Sequence, residues 1–124
     1  MCIRDRASGY KVTATVVDSA GIPVVMLTQD GANAATQNIG MTKIAASLKY
    51  KSASGDVADK AAKDPALMAE IKADPKIGTA RRGALLLMVG PDIVGAMSVS
   101  GAPGGDKDEV CTKAAIDKIS ARLK

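Results

Sequence analysis

Few side chains in this sequence are equipped for chemistry, and the missing ones narrow the field first. The 124 residues contain no His, no Trp and no Phe, and only two Tyr. Without imidazole the chain has no Ser/His or Cys/His nucleophile pair, no imidazole base and no imidazole metal ligand. Cys111 falls on the apolar stripe of a predicted helix with no base to activate it, the setting of a buried, inert thiol. Met26, Met41, Met68, Met88 and Met97 offer thioethers, but each lies on an apolar face or run where methionine fills core gaps. Asp18, Asp30, Asp92 and Asp106 stand at predicted turns, where Asp bonds nearby backbone. No acid–base pair, catalytic residue or metal-ligand set is nominated.

Two anion-binding patterns remain. Gly101-Ala102-Pro103-Gly104-Gly105 precedes a predicted helix, and free amides at a helix start attract anions. The loop lacks the Gly-Lys-Ser/Thr ending of a P-loop, and Asp106 sets a carboxylate where the anion would sit, so it reads as a tight strand-to-helix turn. Arg81-Arg82, with Lys72 and Lys76 before it, is the one local basic cluster. It reads as a solvated face, with contact to propionates or another anion as its functional alternative. Seventeen Lys and Arg stand against 13 Asp and Glu, a net charge of +4 with the signs interleaved. Neither a basic stripe nor stacking aromatics are present, which points away from nucleic acid.

The elements that must position these residues are legible from periodicity. Tyr10–Val17 alternates, with Tyr10, Val12, Ala14 and Val16 on one face, and Asp18-Ser19-Ala20-Gly21 turns it into a second strand, Ile22–Gln29. Pro23 lacks an amide donor and belongs at a strand start or on a sheet edge. From Ala35 to Lys51 the period becomes helical, with Met41, Ile44, Ala45 and Leu48 on one face and Gly40 marking close packing. Lys51–Arg82 reads as two short, lid-like helices, the second opened by Asp64-Pro65, then a loop to Gly83. Ala84–Val89 is an apolar run read as a central strand buried on both faces, and Ile93–Ser100 as its partner. Asp106 and Glu109 form a capping box for a last helix. Its inner face is Cys111, Ala115, Ile119 and Leu123, with Lys107, Asp108, Lys113, Asp117 and Lys118 outside. Two hairpins and helices make an α+β fold, an antiparallel sheet flanked by helices.

At 47% hydrophobic and 24% charged residues, this is the composition of one globular domain with a real core. Residues 1–8, including Cys2, read as an artefact or a truncated N-terminus, leaving 9–124 as a single domain. No apolar run reaches 18 residues, so no transmembrane helix and no membrane partner are expected. The compartment stays open: bacterial periplasm or secreted if a leader was lost, otherwise cytoplasmic.

MSVSGAPGGDKDEVCTKAAIDKI (Met97–Ile119) resembles the closing motif of the HbpS/GlcG-like haem-binding, or haem-degrading, protein family. VTATVVDSAG (Val12–Gly21), Asp30-Gly31-Ala32 and Lys43 agree with it, and the resemblance runs from about Gly9 to Leu123. It implies a profilin-like sandwich, assembly into homo-oligomers, and binding of haem or a related tetrapyrrole. The sequence departs from the family pattern in three places. The helix before the first strand is missing, Ala35-Thr36 stands where many members have His-Thr, and Gly83-Ala84-Leu85-Leu86 replaces Gly-Gly-Val-Pro. Any haem must therefore be held without His.

The expectation is a non-catalytic protein for haem, a tetrapyrrole or another small anionic ligand, serving haem or iron handling or redox stress. Its groove is expected at Asp30, Gly31, Thr36, Lys43, Ser100 and Gly101, with Lys43 as the anion contact. The alternative is a cofactor-free accessory subunit of the glycolate-utilisation type that assembles with itself or an operon partner. An enzyme is the least supported class, since no acid–base pair can be named.

Overall fold

A computed structural model describes residues 9–123, so the expectations for residues 1–8 and Cys2 lie outside the described residues. Four strands, β1 (Thr13–Asp18), β2 (Pro23–Thr28), β3 (Ala84–Val89) and β4 (Asp92–Ser100), form one antiparallel sheet in the order β2-β1-β4-β3. The helices are α1 (Ala35–Tyr50), α2 (Ser54–Ala61), α3 (Pro65–Ala73) and α4 (Gly105–Ile119), followed by a 3-10 turn at Ser120–Arg122. The fold is α+β as expected.

Local chemistry sets several boundaries. Asp18 Oδ1 accepts the amides of Ala20 and Ile22, closing the β1–β2 turn. Asp64 Oδ1 accepts from the amides of Ala66 and Leu67, with Pro65 at the first position of α3. Pro23 opens β2, which is an edge strand, and so satisfies both sequence expectations.

Helix α1 crosses one face of the sheet over β1, β4 and β3. Val17, Ile44, Ala84 and Ala96 are its buried core there, with Met41, Leu48 and Leu86 around them. Helix α4 packs on β4 and β3 through the other face, where Cys111 meets Val12 and Val99. Strand alternation assigns these faces, because Ala96 and Ser98 point one way and Met97 and Val99 the other. Helices α2 and α3 close a separate cluster of Ala46, Val57, Ala61, Ile71 and Ile77 beside α1.

Several sequence expectations change here. Ala84–Val89 is not a central strand: it is the edge opposite β2, and Met88 is exposed. An apolar run of this length fits any strand with helices near both faces, so periodicity cannot rank it centre or edge. In β1 the residues wholly buried under α1 are Thr13, Thr15 and Val17, whereas Ala14 and Val16 on the apolar face are only partly covered. The Thr13 hydroxyl is satisfied by its 2.7 Å contact with Thr36 Oγ1, whereas the buried Thr15 hydroxyl has no hydrogen-bond partner among the described residues. Asp106 does not cap α4; Gly104 does, without a side-chain bond, and Asp106 pairs with Arg82 instead. Asp108, expected to face solvent, is 3% exposed, while Ile119, expected inside, is 40% exposed. Met68, like Met88, is largely uncovered.

Gly40 fulfils the expectation of close packing. A methyl there would sit 3.0 Å from Ser98 Oγ and 3.6 Å from Thr15 Oγ1, so α1 rests almost on the sheet.

Candidate functional site

The site grows from the point where β3 begins. Val99 donates its amide to Gly83 O at 3.2 Å, but the chain leaves the ladder at Gly83, whose φ is 134°. The carbonyl of Val99 still needs a donor, and Lys43 of α1 supplies one, with Nζ donating to Val99 O at 2.9 Å. Only glycine leaves room for that ammonium: a Cβ at position 83 would lie 2.6 Å from Lys43 Nζ and 2.9 Å from Val99 O.

The Lys43 ammonium is balanced by Asp108 of α4. Its Nζ donates to Oδ2 at 2.7 Å, and both side chains are almost wholly buried. Asp108 Oδ1 accepts the amide of Ala102 at 3.0 Å and so holds the glycine-rich loop. Thr112 Oγ1, one turn on, reaches Gly83 O at 2.8 Å and Asp108 O at 3.0 Å. One carboxylate therefore ties together α1, the end of β4, the loop and α4. Burial pulls the Lys43 pKa below its ordinary 10.5; the bond and charge of Asp108 oppose that pull, and the nearby Arg81 adds to it.

Above this pair lies a groove of about 410 Å³. Thr36, Lys43, Ser100 and Gly101 of the expected set line it together, whereas Asp30 and Gly31 are not among its walls. Ile39, Ala58, Ala80 and Ala102 give it apolar surface, and Gly101, Gly104 and Gly105 leave one rim bare of side chains. The Lys43 head faces inward to Asp108 and Val99 O, beneath the groove rather than across it. The Thr36 hydroxyl is also engaged, donating to Asn33 O at 2.6 Å beside its contact with Thr13.

Three groove residues escaped the sequence reading as a group. Asp108 is separated by three and four residues from Cys111 and Thr112, both buried, so the helical period does place it on the inner face. A carboxylate there is read as solvated until its lysine partner, 65 residues away, is known. Arg81 and Arg82 were visible as a dipeptide, but their separation into two roles was not. Arg82 reaches Asp59 at 2.6 Å, Asp106 at 3.1 Å and Glu109 at 3.2 Å, and Asp59 above all holds its pKa above the ordinary arginine value. Arg81 is exposed and lines the groove.

A larger recess, about 640 Å³, lies on the other flank of α1 against the β1–β2 turn and the Asp74–Ile77 segment. Its floor includes Met41, Ala45 and Leu48, and none of the expected site residues line it. Lys49 on its rim is already bridged to Asp74 at 2.9 Å and Glu70 at 3.3 Å. Lys76 in the same lining makes no ion pair among the described residues, and what distinguishes the smaller groove is that four of the expected site residues line it.

Among the described residues no group of three His, Cys, Asp or Glu is placed to hold a metal ion, and Cys111 is buried. A haem would find apolar walls, a bare glycine rim and a cationic edge, but no imidazole, thiolate or thioether in the lining. The residues therefore fit the ring and its carboxylates and do not fit strong axial ligation of iron. No described helix is long and apolar enough to cross a membrane.

Comparison with known proteins gives the family and the fold. Residues 2–117 match a family model described as haem degrading protein HbpS-like. Among solved structures, a double mutant of Streptomyces reticuli HbpS is 25% identical with a TM-score of 0.81, over 94% of this chain and 76% of that one. Klebsiella pneumoniae ORFY aligns with a TM-score of 0.85 at 19% identity, over 95% of this chain and 81% of that one. A PduOC:heme complex aligns with a TM-score of 0.80 at 20% identity, over 92% and 82%. No curated protein matches the chain.

Proposed function

The chain belongs to the HbpS-like family, and from that premise we propose that it is a non-catalytic binding protein for haem or a related tetrapyrrole. The observation that carries the reading is the open groove beside Lys43, in which four of the six expected contacts, Thr36, Lys43, Ser100 and Gly101, converge. The PduOC:heme complex supports it by analogy of fold. A flat apolar ring lies against Ile39, Ala58 and Ala80 and meets the glycine rim, where no Cβ keeps it from the backbone. Lys43 and Asp108 act from below by fixing the loop that forms this rim. Asp30 and Gly31 shape the β2–α1 connection and stand outside the contact set.

Because the lining holds no strong iron ligand, the ring and its side chains supply the affinity. Titration with haem at micromolar concentration is expected to shift the Soret band, and iron-free protoporphyrin is expected to bind within a few-fold of haem. No spectral change with either ring would remove the proposal.

A second reading, assembly with copies of itself or another chain without any cofactor, is favoured by the edge strand β2. Val24, Val25 and Leu27 are 69%, 42% and 50% exposed there, and Ile22 just before the strand is 62% exposed. An uncovered apolar edge invites pairing. Light scattering of the purified protein, with native mass spectrometry for retained ligand, separates the two: a ligand-free oligomer that ignores haem favours assembly alone.

A further inference from the structure

The tandem arginines before β3 are divided by the fold. Arg82 lies over Gly55, where a Cβ would come within 2.6 Å of its Nη1, and three carboxylates from α2 and α4 surround it. Its charge is spent on holding those helices together. Of the three cations lining the groove, Lys43 is likewise matched, by Asp108. Arg81 is the exception. It is exposed at the groove, and among the described residues no ion pair or hydrogen bond engages its guanidinium.

This asymmetry has an electrostatic consequence. The carboxylates around the groove, Asp106, Glu109 and Asp108, already answer Arg82 and Lys43. Arg81 is thus the one groove-lining cation that no described carboxylate engages, and its guanidinium is a planar fork that matches a carboxylate through two parallel hydrogen bonds. Arg81 also lies close enough to the Lys43 ammonium to oppose its protonation, a repulsion that a bound anion would relieve.

We infer that Arg81 is the anion contact of this groove, and that its ligand is a tetrapyrrole bearing free carboxylates rather than one whose side chains are amides or esters. The inference rests on the tetrapyrrole reading above and names the group that selects within that class. Lys43 is a positioning residue: it acts on the rim through Asp108 and Ala102 and does not touch the ligand.

The test uses the full chain, protoporphyrin as the free diacid, and its dimethyl ester, which keeps the ring and removes both charges. Wild type is expected to bind the diacid about tenfold more tightly than the ester, the scale of one charge-assisted hydrogen bond. Arg81→Gln is expected to bind the diacid as weakly as wild type binds the ester, and to leave ester affinity unchanged. Arg81→Lys recovers part of the loss, since it restores the charge without the fork. The thermal midpoint of Arg81→Gln should match wild type, because no contact is removed. If Arg81→Gln binds the diacid as wild type does, or wild type does not distinguish diacid from ester, the assignment of Arg81 is overturned while ring binding stands. If neither porphyrin binds any variant, the tetrapyrrole reading fails and takes this assignment with it.

Discussion

Helix α1 carries two lysines six residues apart that meet carboxylates in opposite settings. Lys43 points into the junction of β3, β4 and α4, where its side chain is 2% exposed and Asp108 is 2.7 Å away. Lys49 lies along the outer flank, 41% exposed, bridging Asp74 at 2.9 Å and Glu70 at 3.3 Å. The same residue type on one helix thus makes a buried structural tie and a solvent-screened clasp. The ammonium is alike in both; the difference is the loss of water around it and around its partner. A buried pair is expensive to assemble and more expensive to break, whereas an exposed pair contributes little.

The contrast can be broken most forcefully at Lys43. Lys43→Ala leaves Asp108 charged and buried without its lysine, and should lower unfolding stability by about 3–5 kcal/mol, read by urea denaturation. A loss close to zero would mean that water reaches the junction. Gly83→Ala attacks the same junction from the backbone side. The added methyl meets the Lys43 ammonium and Val99 O and must adopt a φ of 134°, so a loss of about 1–3 kcal/mol is expected. Thermal denaturation checks it, and a neutral result would sink the claim that only glycine fits.

A subtler distinction lies in pH. Burial holds the Lys43 pKa below 10.5, so on raising the pH the folded chain releases this proton before the unfolded chain does. Between the two values the unfolded state binds more protons, and this group's contribution makes stability rise with pH. Lys43→Met should lack that alkaline component in a comparison of denaturation midpoints from pH 8 to 10.5. Glu70 and Asp74 behave in the opposite range. Tyr50's bond lowers the Glu70 pKa below 4.5 and Lys49's bond lowers that of Asp74 below 3.8, so their contributions are full above those ordinary values and fade as pH falls through the folded ones. The smallest effect is expected at the clasp itself. Lys49→Ala should leave the neutral-pH midpoint within experimental scatter, and a shift as large as that of Lys43→Ala would erase the comparison.

How much of this was readable beforehand depended on the range of the interaction. Turns and helix starts governed by adjacent residues, such as Asp18 with Ala20 and Asp64 with Pro65, were visible because their partners lie within a few positions. The groove was placed near Thr36, Lys43 and the Ser100–Gly101 turn through resemblance to a family, and those residues do share a wall. Asp30 and Gly31 belong to the same motif but not to the same surface. The burial of Asp108 and the different fates of Arg81 and Arg82 could not be read locally. Each is decided by partners 23 to 65 residues away.

Composition and periodicity by themselves determined the α+β class, the two hairpins, the amphipathic helices and the exclusion of imidazole chemistry, because these follow from residue type and short-range spacing. Tertiary structure alone decided which strand became an edge, which face of β1 went under α1, and which cations kept an unmatched charge. Those outcomes depend on desolvation and on the pairing of charges brought together from distant segments, and neither exists until the chain has closed on itself.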